Sequence, residues 1–249
     1  MPSNENTKQI KSRQRVADHG EVFTNPREVN AMLDLVCDES FRLDSRFLEP
    51  ACGDGNFLIE ILRRKLSLLK DIKSQTEWEF KSLIAVGSCY GIDILPDNAE
   101  ACRTRLEEYV LSRHPASERL NARSARNTIQ AQRSVVQEHS VVEEDNGHDR
   151  HLGEMRQEPY LLSLRYMLQK NIVCGDALTY RTAENKPITF CEWTPIAGDM
   201  RFSRRDFQFD FLVTQSHQYS LFDEQGEAQS FDEPVRTYPP LHYTQLYRD

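Results

Sequence analysis

The sequence predicts an α/β fold in which short parallel strands alternate with helices. Two observations support this fold class. Three short apolar segments each end in an acidic residue, at Glu49, Asp93 and Asp176, and the first of them continues through a glycine-bearing turn into an amphipathic helix. Because ligands of open α/β sheets bind outside the carboxyl ends of the strands, these carboxylates indicate a candidate binding edge.

The composition of the chain limits its environment and partners. The 249 residues carry a net charge of -8, so any contact with nucleic acid must come from local basic patches. No apolar run approaches the roughly 20 residues that span a bilayer, and the N-terminus has no apolar signal core. The six cysteines form no CxxC pair and no metal-ligand spacing. We therefore expect a cytoplasmic protein with reduced thiols, no membrane contact, no metal site and a flexible N-terminus over residues 1–20.

The first structured segment is predicted to be a capped helix in "VFTNPREVNAMLDLV". Asn25 suits the N-cap and Pro26 the first helical position. Apolar residues then recur at helical spacing along one face, at Val29, Met32, Leu33 and Val36.

The next segment, "RFLEPACGDGNFLIEILRRKL", predicts a strand, a turn and a helix in succession. Gly53 and Gly55 allow the backbone to close around a ligand without interference from a Cβ atom. The helix that follows has an apolar face formed by Phe57, Leu58, Ile61 and Leu62.

A second strand is predicted within "LIAVGSCYGIDI", followed by a helix over "LPDNAEACRTRLEEYVLSR". Asp93 at the strand's end can accept hydrogen bonds from both hydroxyls of a ribose. Asp93 follows Gly55 by 38 residues, more than the ~20 of a dinucleotide-binding unit, and the polar stretch "DIKSQTEWEFKS" predicts a loop that supplies the excess. A helix over "YLLSLRYMLQ" and the third strand, "NIVCGDAL", come next.

These segments, in this order, resemble the cofactor-binding half of the S-adenosylmethionine-dependent DNA methyltransferases that modify adenine in restriction–modification systems. Within residues 15–113 and 170–180, "GEVFTNP" is similar to the segment over the methionine end of the cofactor and "LEPACGDGNF" to the glycine motif. "YGIDI" is similar to the ribose-binding strand and "IVCGDAL" to the strand that contacts adenine. A nicotinamide dinucleotide is the alternative ligand, but the turn has no third glycine and acid–Pro precedes it.

The resemblance implies the fold of residues 21–213 and eleven cofactor-binding residues. The fold would be a Rossmann-like class I methyltransferase sheet, incomplete, with a helical N-terminal segment. The methionine end of S-adenosylmethionine would be bordered by Phe23, Thr24 and Pro26. The cofactor turn would be shaped by Glu49, Pro50, Gly53, Asp54 and Gly55. The adenosine end would contact Asp93 through the ribose, Ile94 through the adenine ring and Asp176 through the adenine amino group.

Residues 112–158 are predicted to be a polar insertion, partly disordered, because they lose periodicity and have little apolar side chain to bury. The arginines of "RLNARSARNTIQAQR" leave open the alternative that this segment is an arm that slides along DNA. The other basic patches, "LRRK" at 62–65 and "RFSRR" at 201–205, are more typical of solvated surface charge. No metal-site pattern is formed by His139, His148 and His151.

The family's catalytic motif has only a degenerate counterpart. In that family Asn, Asp or Ser, followed by Pro-Pro and Tyr or Phe, comes directly after strand four and accepts hydrogen bonds from the amine of a flipped adenine. "PITFCEWTPI" and "DMRFSRRDFQFDFLV" predict strands, and the second corresponds to strand four. Its alternating face consists of Phe207, Phe209, Phe211 and Val213. The turn after it contains no proline, only Gln215, Ser216 and His217 at the catalytic position.

Residues 214–249 are predicted to be a C-terminal tail that cannot supply three more strands, because one βαβ unit takes roughly 30 or more residues. "TYPPLHY" has paired prolines but follows no strong strand. The strand "FQFDFLV" is therefore expected to present an open edge, which we expect a partner chain to cover in preference to the tail.

Together these patterns predict a DNA methyltransferase subunit of a restriction–modification or phage-defence type system. It would bind S-adenosylmethionine and contribute to adenine methylation, with DNA and a partner subunit as its partners. The alternative is a catalytically inactive S-adenosylmethionine-binding or interaction protein derived from such an enzyme. A methyltransferase with a substrate other than DNA also stays open.

Overall fold

The computed structural model describes residues 12–19, 22–117, 158–196, 198–210 and 234–248. The helices are α1 (Arg13–His19), α2 (Pro26–Asp34), α3 (Cys37–Ser40), α4 (Asn56–Ser67), α5 (Gln75–Gly87), α6 (Pro96–Arg113) and α7 (Pro159–Asn171). The strands are β1 (Phe47–Glu49), β2 (Cys89–Asp93), β3 (Ile172–Cys174), β4 (Thr189–Ile196), β5 (Arg201–Gln208) and β6 (Arg236–His242). A 3-10 turn follows at Leu246–Arg248.

Three strands form a parallel sheet in the order β1-β2-β3. Glu49 lies opposite Gly91, and Asp93 lies opposite Cys174. The predicted α/β class with parallel strands is therefore confirmed. Because parallel strands end at the same edge of a sheet, the segments that follow β1, β2 and β3 meet there.

The two faces of β2 pack against different neighbours, as the alternation of side chains along a strand requires. A Cβ atom at Gly91 would lie 3.0 Å from both Leu58 of α4 and the Cys52 sulfur, so this position admits only glycine without movement. On the opposite face Tyr90 and Ile92 belong to a buried apolar cluster with Phe190 of β4. The parallel sheet is thus covered on both faces.

The N-terminal helix α2 begins as predicted. The Asn25 side chain accepts the Arg27 N–H at 2.9 Å, and Pro26 occupies the first helical position. The apolar face is narrower than predicted, since only Val29 and Leu33 are buried while Met32 is 55% exposed and Val36 is 44% exposed. Val36 does not share the face because α2 ends at Asp34.

Residues 13–19 form helix α1, although the sequence predicts a flexible segment over residues 1–20. The Arg15 guanidinium lies 2.7 Å from the Asp97 carboxylate and donates a hydrogen bond to Asn98 at 3.1 Å. These contacts join α1 to the first turn of α6.

Helix α5 occupies a region where the sequence predicts a loop and the start of a strand. The Ser74 hydroxyl accepts the Glu77 N–H at 3.3 Å, and Ser with Glu three residues later is typical of a helix start. The helix continues to Gly87, so the strand within "LIAVGSCYGIDI" is restricted to Cys89–Asp93. The predicted loop extension is therefore wrong, because the apolar residues of this region are buried at helical spacing.

Strands β4, β5 and β6 form a separate antiparallel sheet in that order. The prediction that the "DMRFSRRDFQFDFLV" strand corresponds to strand four of the parallel sheet is wrong. Only four residues separate Ile196 from Arg201, and a parallel connection needs a crossover of a dozen or more. A hairpin is the arrangement that so short a connection allows.

The described part of "FQFDFLV" has one strand partner. Phe207 and Gln208 pair with β4, whereas β6, from the C-terminal region, pairs with β5 between Arg201 and Asp206. The expected open edge of this segment therefore stays a prediction. Strand β6 contains Pro239 and Pro240, and it is an edge strand whose pairing shifts between Phe202 and Arg204. Proline is accommodated at edges and bulges because no ladder hydrogen bond is lost there.

The antiparallel sheet packs against α5 and α7. The Trp193 Nε1–H donates to the Asn171 side-chain oxygen at 3.1 Å, and the Asn171 amide donates to the Gly87 carbonyl at 3.1 Å. The Tyr90 hydroxyl donates to the Cys191 carbonyl at 3.1 Å. These contacts join β4 to α5, to α7 and to β2.

Two of the basic patches contain buried cations, contrary to the expectation of solvated charge, although Arg63 and Arg201 are exposed and Arg205 is partly exposed. Arg64 is 3% exposed and lies 2.6 Å from the Asp34 carboxylate, and Lys65 is fully buried and donates to the Leu43 carbonyl at 3.3 Å. Arg204 is 4% exposed and lies 2.8 Å from Asp206. These side chains extend from a helix or strand toward acceptors inside the fold, which a linear charge pattern does not reveal.

Most of the predicted polar insertion lies outside the described residues, which resume at Glu158. The arginines of "RLNARSARNTIQAQR" lie outside them too, as do His139, His148 and His151. None of the helices in the described ranges has the length and apolar character needed to cross a membrane.

Candidate ligand-binding site

A cavity of about 510 Å³ lies at the carboxyl ends of the parallel strands. Its walls come from the segment before α2, the glycine turn after β1, the residues after β2 and those after β3. Eight of the eleven predicted cofactor-binding residues line it: Phe23, Thr24, Glu49, Pro50, Gly53, Asp93, Ile94 and Asp176. The volume lies within the range of small-molecule sites.

The two glycines of the turn have different reasons to be glycine. Gly53 has φ +54°, and a Cβ atom there would lie 3.0 Å from the Phe23 ring that lines the cavity. Gly55 has φ +94°, and its Cβ would lie 2.8 Å from the Cys102 sulfur of α6. Gly53 therefore shapes the cavity wall, whereas Gly55 allows α4 to pack closely on α6.

The Asp93 carboxylate links the end of β2 to the glycine turn. One oxygen accepts the Gly53 N–H at 2.9 Å. The other accepts the Leu95 N–H at 2.9 Å and the Asn98 amide at 3.2 Å. A carboxylate has about four acceptor positions, so one position stays available for a ligand hydroxyl after these three bonds.

Three amides of the turn region are already bonded within the protein. The Gly53 N–H donates to Asp93, the Gly55 N–H to the Cys52 carbonyl at 2.8 Å, and the Cys52 N–H to the Ile92 carbonyl at 2.8 Å. No Lys or Arg is among the described residues that line the cavity. A pyrophosphate is negatively charged, so an acidic lining without a described cation does not favour the nicotinamide dinucleotide alternative.

The charged side chains that line the cavity are acidic. Burial raises the pKa of the Glu49 carboxyl, and the Ala51 N–H opposes this shift. The pKa of Asp176 is lowered, chiefly because its carboxylate accepts the Leu178 N–H at 2.8 Å. Asp93 is the third carboxylate. Three carboxylates without a lining cation favour a neutral or positively charged ligand.

Apolar side chains surround the cavity's mouth. Ile94 and Val22 are both 58% exposed, and Leu178 is 89% exposed, although all three line the cavity. Exposed apolar residues grouped around a cavity indicate contact with a partly apolar ligand. A flat ring fits this description.

Three predicted cofactor-binding residues do not line the cavity. Pro26 begins α2, and Gly55 lies under α6. Asp54 is directed at Arg105, with its Oδ2 atom 2.7 Å from the guanidinium, while its Oδ1 atom is buried without a hydrogen-bond partner. An ion pair with a residue 51 positions later cannot be seen in a local motif.

Sequence reasoning missed several lining residues, among them Asn56, Asn98 and Leu178. The Asn56 amide donates to the Thr24 carbonyl at 3.2 Å and ties the segment before α2 to the glycine turn. Asn56 directly follows the glycine turn, and Asn98 lies five positions after Asp93. Closeness in sequence to these motifs could have identified both as lining residues.

The predicted catalytic residues Gln215, Ser216 and His217 lie outside the described residues. Within the described ranges, no group of three or more His, Cys, Asp or Glu side chains is placed to hold a metal ion. A scan of family models, a search of curated proteins and a search of solved structures each find no match to this chain.

Proposed function

We propose that the cavity binds S-adenosylmethionine. The supporting observation is an acidic cavity at the ends of three parallel strands, closed by a glycine turn that is bonded to Asp93. S-adenosylmethionine is positively charged at its sulfonium and amino groups, and it has no phosphate. A cavity whose described lining has three carboxylates and no cation suits that ligand better than a dinucleotide.

Each lining carboxylate has a distinct place in this proposal. Asp93 would accept from the ribose with its remaining acceptor position. Asp176, between exposed apolar residues, would accept the adenine amino group while Ile94 contacts the ring. Glu49, whose charged form is disfavoured by burial, would be stabilised in that form by the cationic end of the ligand. The bound cofactor would supply an electrophilic methyl group.

We further propose that the chain is a methyltransferase subunit that contributes to adenine methylation in DNA, in a restriction–modification or phage-defence type system. The support is the ordered set of segments that resembles that family, together with the cavity at its matching residues. A partner subunit would bring the missing catalytic tetrapeptide. The proposed cytoplasmic location is supported by six cysteines that are all free thiols.

A second candidate is a catalytically inactive S-adenosylmethionine-binding protein. The observation that favours it is the position of β5, which belongs to a separate antiparallel sheet and not to the parallel one. In the described part of the chain, β1 has β2 as its one strand neighbour, so its outer edge has no strand in the position of strand four.

A labelled-methyl assay separates the two candidates. Purified protein is incubated with S-adenosylmethionine labelled at the methyl group and with unmethylated DNA, and an Asp93→Ala variant serves as the control. We expect the wild type to bind the cofactor and to transfer methyl groups poorly without a partner subunit. Methyl transfer by the wild type that is lost in Asp93→Ala would support the enzyme. Cofactor binding without methyl transfer, both alone and together with the products of neighbouring genes, would support the inactive protein. Absence of binding would contradict both.

A further inference from the structure

A second cavity, of about 530 Å³, lies far from the first one. It is lined by the end of α4, the loop to α5 and the last turn of α6, including Arg63, Lys70, Lys73, Tyr109 and Arg113. The acidic cavity lies at the opposite ends of α4 and α6. Because α4 has 12 residues, the two cavities are separated by a helix length of about 18 Å.

Three cations of this basic cavity have no carboxylate partner among the described residues. Arg63 is paired with Glu60 at 2.6 Å. Lys70, Lys73 and Arg113, in contrast, are in no ion pair with any residue of the described ranges. The three cations are a local excess in a chain whose net charge is -8.

The ends of the neighbouring helices do not account for this excess. The C-termini of α4 and α6 each contribute a partial charge of roughly -0.5, and the N-terminus of α5 contributes roughly +0.5. These partial charges are too small to balance Lys70, Lys73 and Arg113. Asp71 lies between the two lysines in the sequence but does not line the cavity, so the described lining has an excess of positive charge that favours an anion.

The floor of the basic cavity is apolar. Leu66 is 5% exposed, Leu69 is 2% exposed and Trp78 is 3% exposed, and Ile72 and Pro115 complete the floor. The Trp78 ring is fixed by an edge contact with the His114 ring at 5.3 Å between centroids. Arg113 lies over the Tyr109 ring at 5.4 Å, which places its guanidinium at the rim. The lining therefore suits an anion that also has an apolar part.

We propose that the basic cavity binds a phosphorylated nucleoside. The phosphate would lie between Lys70, Lys73 and Arg113. The base would cover Ile72 and Pro115, the half-buried apolar residues of the floor. The ligand is either a free nucleotide or the phosphorylated end of a nucleic-acid strand, because both present the same phosphate and base. This site is independent of S-adenosylmethionine binding.

Calorimetric titration with uridine 5′-diphosphate tests the proposal, since uracil avoids competition from an adenine-binding cavity. We expect one binding site, and binding weakened at least about tenfold by the double substitution Lys70→Ser and Lys73→Ser. Uridine without phosphate should also bind at least about tenfold more weakly. The matched control Lys186→Ser, at an exposed lysine outside the cavity, should bind like the wild type.

Three outcomes would overturn the proposal: no binding at millimolar uridine 5′-diphosphate, equal binding by the double variant, or equal affinity for inorganic phosphate alone. Because both lysines are exposed and form no ion pair with a described residue, the double variant should keep its circular dichroism spectrum and melting temperature. Asp93→Ala should bind uridine 5′-diphosphate like the wild type. Failure of this proposal can therefore be distinguished from failure of the proposal for the acidic cavity.

A 5′-phosphorylated single strand of about eight thymidines distinguishes the two sources. Tighter binding of the strand than of the diphosphate, with a steep salt dependence, would assign the site to nucleic acid. Binding of the diphosphate alone would assign it to a free nucleotide. Either result supports the shared chemistry.

Discussion

The Asp93 carboxylate accepts the backbone N–H of Gly53 at 2.9 Å and so joins the end of β2 to the turn that follows β1. Asp93 is 8% exposed, so this bond is shielded from water, yet the residue also lines the acidic cavity. One side chain therefore shapes the cavity and offers it an acceptor. Structural and ligand-binding contributions of Asp93 must be measured separately.

Asp93→Ala is predicted to lower the free energy of unfolding by about 1–3 kcal/mol, because the partly buried Gly53 N–H loses its acceptor. Asp93→Asn should cost less, since its amide oxygen can still accept one of these bonds. Urea denaturation gives both values. As the control, Asp97→Ala removes a carboxylate that is 55% exposed and paired with Arg15, and it should change stability by less than about 1 kcal/mol. Equal effects at positions 93 and 97 would contradict the assigned role.

Gly53→Ala is predicted to cost more stability than Gly198→Ala. Both glycines have positive φ, +54° and +80°, so alanine brings a backbone penalty of about 1–2 kcal/mol at either position. At Gly53 the new methyl would also lie 3.0 Å from the Phe23 ring, whereas nothing lies within 4 Å at Gly198. Thermal denaturation of the two variants measures the difference.

A Phe23→Ala substitution should remove that difference when it is combined with Gly53→Ala. If the two glycine variants melt at the same temperature, the Phe23 ring does not constrain the turn.

Glu49→Gln is predicted to keep or raise stability at neutral pH while it weakens S-adenosylmethionine binding. Burial raises the Glu49 pKa in the folded state, so the folded protein binds this proton more tightly than the unfolded chain does. The resulting stabilisation is present at low pH and is lost as the pH rises through the raised pKa. Glutamine removes the cost of the buried charge at neutral pH. Melting curves measure the effect on stability, and calorimetry measures the effect on S-adenosylmethionine binding. A variant that is less stable than the wild type at neutral pH would contradict the prediction.

Glu79→Gln is predicted to destabilise the protein at neutral pH by about 1–3 kcal/mol. Burial tends to raise the Glu79 pKa, but bonds from the His114 ring at 3.1 Å, the Gln75 amide at 2.8 Å and the Tyr243 hydroxyl at 2.8 Å lower it overall. A lowered pKa contributes stability above the usual value of 4.5, and this contribution is lost as the pH falls through the folded-state pKa.

Urea denaturation at neutral pH and in acid tests the Glu79 prediction, because the difference between the wild type and Glu79→Gln should shrink as the pH falls through the folded-state pKa. The Lys81–Glu77 pair supplies the control: Glu77→Gln affects an exposed pair and should change stability by less than about 1 kcal/mol at either pH. A constant difference between wild type and Glu79→Gln would show that the charge of Glu79 is irrelevant.

The segments around the acidic cavity could be predicted because their signals are local. Asn25 and Pro26 mark a helix start, and Gly53 and Gly55 mark a turn, within a few residues of sequence. The end of β2 at Asp93 was likewise visible. Eight of the eleven proposed residues therefore line one cavity, although β1 and β3 are separated by more than 100 residues.

The errors arose where the structure depends on distant partners or on ambiguous patterns. The apolar run before Cys89 fits a helix or a strand, and only the Ser74–Glu77 capping pattern distinguishes them. Strand β6 is stabilised by pairing with β5 despite two prolines, which local propensity opposes. The burial of Arg64 depends on Asp34, 30 positions earlier, and no charge pattern predicts it.

Calorimetric titration of S-adenosylmethionine into the wild type and Asp93→Asn is the most direct test of the proposed function. Asp93→Asn is preferred because it keeps the shape of the side chain, so a loss of affinity reflects its charge and acceptors. We predict a single site in the wild type, with affinity weakened by about 1.5–3 kcal/mol in the variant, the size of a hydrogen bond to a charged group. No heat of binding at millimolar cofactor, or equal affinity of the two proteins, would contradict the proposal that the acidic cavity is an S-adenosylmethionine site.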